Sequence, residues 1–167
     1  MGLSGSRLPT EDILVFYDHY SNDIYRYAYS VLGDSSDALD AVQEVFLRAN
    51  RSLNKFRGDA NPKTWLITIT RNYVIDVIRR RQRDRWYMSG QELPELRDDS
   101  VSMDIVMEIR EALGQMKREY REVLILRHVD ELSVEETALT LGWSQKKVRN
   151  TSHRAMLKLR EILGGED

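Results

Sequence analysis

Gln145, Arg149 and His153 recur at four-residue steps, and Lys146, Asn150 and Arg154 recur beside them, so a helix would set the six in two adjoining rows. Arg and Lys donate to guanine edges and phosphates, and Gln and Asn pair bidentately with adenine. From Ser144 to Arg160 there are six Lys or Arg and no Asp or Glu. An ordinary surface helix is laced with both signs, so a one-signed helix of this kind suits phosphates and the major groove. The bland alternative is an αα-hairpin with a solvated basic face, which gives no reason for the charges to share a sign.

A reading helix needs a partner to aim it, and the preceding residues supply one. Ser133 stands where an N-cap belongs and Glu136 follows three residues later, so Ser133-Val134-Glu135-Glu136 predicts a capping box and a helix through Leu141. Gly142 provides the positive φ of a sharp turn, and Ser144 caps a second helix running to about Ile162. Val148, Ser152, Ala155 and Leu159 are its expected inner stripe, and Ala138 is small where the helices cross. The pattern is a helix-turn-helix.

A second cationic block lies at Arg79, Arg80, Arg81, Arg83 and Arg85, while Glu92, Glu95, Asp98, Asp99 and Asp104 crowd the stretch between the two. The net charge of −2 therefore hides two basic patches separated by an acidic connector. Five arginines within seven residues repel one another unless something anionic lies alongside.

The 167 residues suit one domain or two small ones, and 41% apolar with 31% charged content describes a soluble helical protein. With no cysteine there are no disulfides or thiolate zinc sites, in keeping with a reducing cytoplasm. A secretory leader and a membrane-length apolar run are both missing, so a cytoplasmic location is expected. His19, His128 and His153 form no short metal-ligand pattern, and no Gly-rich phosphate loop appears. These absences argue against an enzyme, a metal site or a cofactor.

Taken in order, residues 1–9 are expected to be disordered. Thr10 can then cap a helix bearing Ile13, Phe16, Tyr17 and Tyr20, continuous or not with a run through Ile24, Tyr27, Ala28 and Val31. After Gly33, Ser35 or Ser36 caps a helix from about Asp37 to Leu53, with Leu39, Val42, Phe46 and Ala49 inward and Asp37, Asp40, Gln43, Glu44, Arg48 and Arg51 outward. On pattern alone that polar side is an ordinary solvated face. Residues 54–61 form a loop with basic residues about Phe56. Asn61 caps a long helix to about Trp86, with Pro62 in its first turn and Trp65, Leu66, Ile69, Tyr73, Val77 and Ile78 in its core stripe. Trp65 and Tyr73 are read as core, and Asp76 and Arg80 as an intrahelical ion pair. Residues 87–102 lose all periodicity and predict a flexible linker. Ser102 caps a helix with Ile105, Ile109, Ala112, Leu113 and Met116, and another follows through Tyr120, Val123, Leu124 and Arg127. The expected fold is all-α: two small helical domains over 10–86 and 103–167, joined by the linker.

The run from Asp37 to Ala49 resembles region 2.2 of bacterial RNA polymerase sigma factors of the extracytoplasmic-function type. Thr64-Trp65-Leu66, Ile69 to Asn72, Asp76 and Arg79 to Arg81 resemble regions 2.3 and 2.4. Tyr120 to Leu124, Leu132 to Ala138, Leu141-Gly142 and His153 to Ala155 resemble region 4. The resemblance implies a sigma-2-like and a sigma-4-like domain and a promoter-specificity subunit for core RNA polymerase, serving a stress or envelope regulon and held by an anti-sigma factor. It reverses the reading of the solvated face: Asp37, Asp40, Gln43, Glu44, Phe46 and Arg48 would bind polymerase. It assigns Lys55, Phe56, Arg57, Arg71, Asn72, Arg79, Arg80 and Arg83 to the minus-10 element of promoter DNA. Phe56 would bound a pocket for an unpaired base, with the cations near phosphates. Gln145, Lys146, Arg149, Asn150, His153, Arg154 and Lys158 go to the minus-35 element: Arg149 or Lys146 to guanine, Gln145 or Asn150 to adenine, Arg154 and Lys158 to phosphates. Asn50, Gln115-Met116 and Asn150 to Ser152 depart from the family's usual residues, which bears on the promoter sequence rather than the fold.

Overall fold

The computed structural model describes residues 9–56, 61–87 and 103–164, which are helical throughout their regular structure. Seven α-helices occur among them: α1 (Pro9–Leu32), α2 (Ser35–Ser52), α3 (Pro62–Tyr87), α4 (Met103–Gly114), α5 (Arg118–Leu124), α6 (Val134–Leu141) and α7 (Gln145–Ile162). The run left open as one helix or two is a single helix, α1. Residues 1–8, 57–60 and 88–102, and with them the expected disordered start, most of the linker and the Ser102 cap, lie outside the described residues.

Local chemistry sets the helix ends. The α2 cap is neither Ser35 nor Ser36 but Asp34, whose carboxylate accepts from the Asp37 amide at 2.9 Å. Gly33, at φ +72°, makes the turn before it. Asn61 Oδ1 accepts from the Lys63 amide at 2.9 Å, which starts α3 as expected, with Pro62 at its first position. Beyond α5 the chain widens into a π turn over Ile125–Val129, where the Asp130 amide donates five residues back to the Ile125 carbonyl at 3.1 Å. No periodicity rule foretold that turn.

Three apolar clusters hold the helices. Ile24, Val42, Val45, Phe46, Ala49 and Leu66 join α1, α2 and α3. Met116, Leu124 and Ala155, flanked by Leu113, Tyr120 and Leu159, anchor α7 to the helices before it. The third crosses between the halves of the chain: Tyr27, Ala28, Leu32, Ile67 and Val74 meet Ile125, Leu126 and Leu132. Helix α3 is thus packed on two sides, which is why its buried residues are Thr64, Leu66, Ile67, Thr70 and Val74, while Trp65, Ile69, Tyr73, Val77 and Ile78 are only half-buried. In α2 the expected inner stripe is corrected at Leu39, which is 59% exposed; Ala38, Ala41 and Val45 take the inside with Val42, Phe46 and Ala49.

Candidate nucleic-acid interface

The helix-turn-helix forms from the groups its sequence offered. Ser133 Oγ accepts from the Glu136 amide at 3.0 Å, and Glu136 Oε2 accepts from the Ser133 amide at 2.8 Å, closing the capping box. Gly142 turns the chain at φ +69°, and Ser144 Oγ accepts from the Lys147 amide at 3.1 Å to open α7. Val148, Thr151 and Ala155 face inward; Thr151 takes the place expected for Ser152, which is half-buried.

All seven side chains expected on the reading face of α7 are exposed: Gln145, Lys146, Arg149, Asn150, His153, Arg154 and Lys158. Across 13 helical steps they cover roughly 20 Å of helix, enough to lie along a major groove. Gln145 Oε1 accepts from Arg149 Nη2 at 3.1 Å, which holds the two at the N-terminal end of α7, where base readers of helix-turn-helix proteins sit. Lys158 is paired 3.1 Å from Glu161, so it offers a phosphate less than its full charge. Sequence reasoning passed over Lys147, whose ammonium stands 4.0 Å from the ring centre of Trp143 and 3.5 Å from Glu119.

The second basic region is arranged differently. Asn72, Arg79 and Arg80 are exposed along α3 and Lys55 beyond α2, whereas Arg57 and the side chain of Arg83 lie outside the described residues. Phe56 stacks on Trp65 at 4.7 Å and meets Phe16 edge-on at 5.9 Å, so one end of α3 carries an aromatic shelf beside Lys55. Arg71 is turned inward. It donates to Glu122 of α5 at 3.1 Å, its side chain is only 20% exposed, and its buried Nε has no partner.

On α2, Asp40 and Gln43 are exposed, Asp37 is held by Arg81 at 2.5 Å, and Phe46 is 9% exposed in the core against Tyr17. Phe46 therefore supports this face from beneath and does not display itself on it. Arg48 ties α2 to α3: it lies 3.2 Å from Glu44, 3.6 Å from Asp76 and 5.2 Å from the Tyr73 ring centre. Asp76 is thus turned to Arg48 and not to Arg80. Burial and the Asp40 carboxylate push the Tyr73 phenol above its usual range. Leu39 and Leu47 stand exposed on the same side as Gln43. The signal for them was available, since 39, 43 and 47 step by four along a row offset from the core.

These elements match known proteins from end to end. Residues 16–84 fit the family model for Sigma-70 region 2, and residues 106–159 that for Sigma-70, region 4. The ECF RNA polymerase sigma factor SigX of Bacillus subtilis (strain 168) is 34% identical over 161 residues, covering 90% of this chain and 83% of that protein. SigW of the same organism, also an ECF RNA polymerase sigma factor, is 31% identical over 87% of this chain and 86% of its own. In fold the chain resembles the sigma factor RpoE of Bartonella quintana, solved in complex with the anti-sigma factor NepR, with a TM-score of 0.81 at 23% identity over 94% of this chain and 99% of that one. CnrH, solved with the cytosolic domain of CnrY, gives 0.73 at 25% identity over 95% and 91%. The molecule is a two-part, all-helical transcription factor of the sigma-70 class. It belongs to the extracytoplasmic-function sigma factors, the promoter-recognition subunits of RNA polymerase. None of its described helices is long and apolar enough to cross a membrane, and none of its described His, Asp and Glu residues group to hold a metal ion.

Proposed function

We propose that α7 reads the minus-35 element, that α3 with Lys55, Phe56 and Arg57 captures the minus-10 element, and that α2 docks on core polymerase through Asp40, Gln43, Glu44 and the adjacent Leu39 and Leu47. The observation that carries this reading is the free, carboxylate-poor face of α7 held on a capped helix-turn-helix. Melting draws on binding energy: a base that leaves the duplex re-pairs unless captured, and stacking on an aromatic shelf is worth about 1–3 kcal/mol per base. The protein acts in the cytoplasm as a non-catalytic subunit, without metal or cofactor. Because two proteins of this fold were solved with an anti-sigma factor or a partner's cytosolic domain, we assign this chain a partner of the same type. A stress or envelope regulon follows from that mode of control.

Adding the purified protein to core polymerase and selecting transcribed promoters from a genomic library tests the reading. Initiation at start sites sharing two spaced elements is the expected result. DNA binding without initiation would make the chain an independent regulator instead.

A further inference from the structure

The contact between the halves is too extensive to be incidental to how this subunit works. Around the shared cluster of Tyr27, Leu32, Ile67, Ile125, Leu126 and Leu132 lie polar links between helices far apart in sequence. Arg71 meets Glu122 at 3.1 Å, and Lys63 Nζ donates to the Asp130 carbonyl oxygen at 2.5 Å. Thr68 donates to Thr140 Oγ1 at 3.5 Å, and Asn61 Nδ2 donates to Glu136 Oε1 at 3.4 Å. Arg110 of α4 lays its guanidinium in the space a Cβ at Gly33 would need.

This arrangement cannot serve both promoter elements. Helix α3 touches α6, and α6 packs on α7, so at about 8–10 Å per helix pair the two DNA faces lie roughly 20 Å apart. The minus-10 and minus-35 elements are about 25 base pairs apart, roughly 85 Å at 3.4 Å per step. Arg71, a candidate minus-10 contact, is also spent on Glu122.

We propose that this is a closed, self-inhibited state, in which the α5–α6 side of the helix-turn-helix docks on α3, and that core polymerase must pry the contact open before both elements can be engaged. The proposal rests on the promoter reading above. Closure confines the two DNA-binding faces to one compact body, and polymerase binds the open form only. Free subunit is thereby kept from occupying promoters without the enzyme.

The chain has no cysteine, so a Thr68→Cys/Thr140→Cys variant carries the only two thiols. Diamide should join them quickly in the free protein, each thiol losing a proton and an electron to the oxidant. Core polymerase at about ten times its Kd should slow the reaction about tenfold by mass action. The cross-linked protein should lose promoter-dependent transcription and regain it on reduction. Absence of the cross-link in free protein, or a cross-linked form that transcribes as well as the reduced one, overturns the proposal. Wild-type protein that fails to initiate in the same assay removes the promoter reading, and the cross-linking rate still decides closure. As an independent check without thiols, Glu122→Lys sets two cations face to face at Arg71. Its radius of gyration should rise above the roughly 15 Å of a compact body this long; a radius equal to that of wild type counts against closure.

Discussion

Helices α3 and α7 both carry rows of cations, yet the structure treats them oppositely. Helix α7 packs through one narrow stripe, Val148, Thr151 and Ala155, and leaves its basic rows to solvent. Helix α3 is clasped from two sides, and its cations are divided: Lys63, Arg71 and Arg81 are engaged by Asp23, Glu122 and Asp37, while Arg79 and Arg80 stay exposed. A helix held on one side can be a reader and little else. One held on two sides is also a structural beam, so its charges do mechanical as well as recognition work.

The sharpest way to test the beam is at its most costly group. Asp130 is wholly buried, both carboxylate oxygens lack partners, and burial pushes its pKa up to about 8, with the Lys63 ammonium pulling the other way. The folded protein keeps this proton to about pH 8, whereas the unfolded chain releases it near 3.8. Stability should therefore fall as pH rises between those values and level off above them. An uncompensated buried charge costs roughly 3–5 kcal/mol. Melting temperatures from pH 5 to 8.5 should drop for wild type and stay flatter for Asp130→Asn; parallel curves would exclude Asp130 as the source.

Ile67→Ala, at the seam on α3, should cost about 2–5 kcal/mol in denaturant unfolding. Leu157→Ala, on the exposed side of α7, should stay within about 0.5 kcal/mol. Similar losses for the two would erase the distinction between beam and reader. For the reader itself, Arg149→Ala should weaken promoter binding by roughly 1–3 kcal/mol and relax one base position, while Arg154→Ala should weaken all sequences alike and lower the salt slope by about 1. Equal losses for Arg149→Ala on specific and scrambled DNA would take it off the list of base readers. The smallest effect lies in the turn before α6, where Glu131 holds φ +55° without being glycine. Glu131→Gly should raise stability by about 0.5–1 kcal/mol in the same unfolding assay, by relieving left-handed strain.

The reader was almost wholly legible in the sequence, because a capping box, a turn glycine and a capping serine act within four residues of themselves. The start of α3 was legible for the same reason, through Asn61 and Pro62. Where neighbours in sequence competed, the choice was not visible: Asp34, Ser35 and Ser36 can all cap, and the first one does. The beam was the least legible part. Arg71 and Glu122 lie 51 residues apart, so no local pattern records their pairing. The apolar residues of α3 spread around it because two partners divide them, and a search for a single stripe therefore selected Ile69 and Tyr73 over Ile67 and Val74.

The π turn over Ile125–Val129 gives the hydrogen-bond ladder one residue more per loop than an α-helix needs. Removing one residue there would let the ladder revert to ordinary spacing and swivel all that follows by about 100°, one helical step. The bearing of α6 and α7 relative to α1 and α3 is thus set by chain arithmetic, and an indel at this point would redirect the protein's aim without touching any residue that meets DNA.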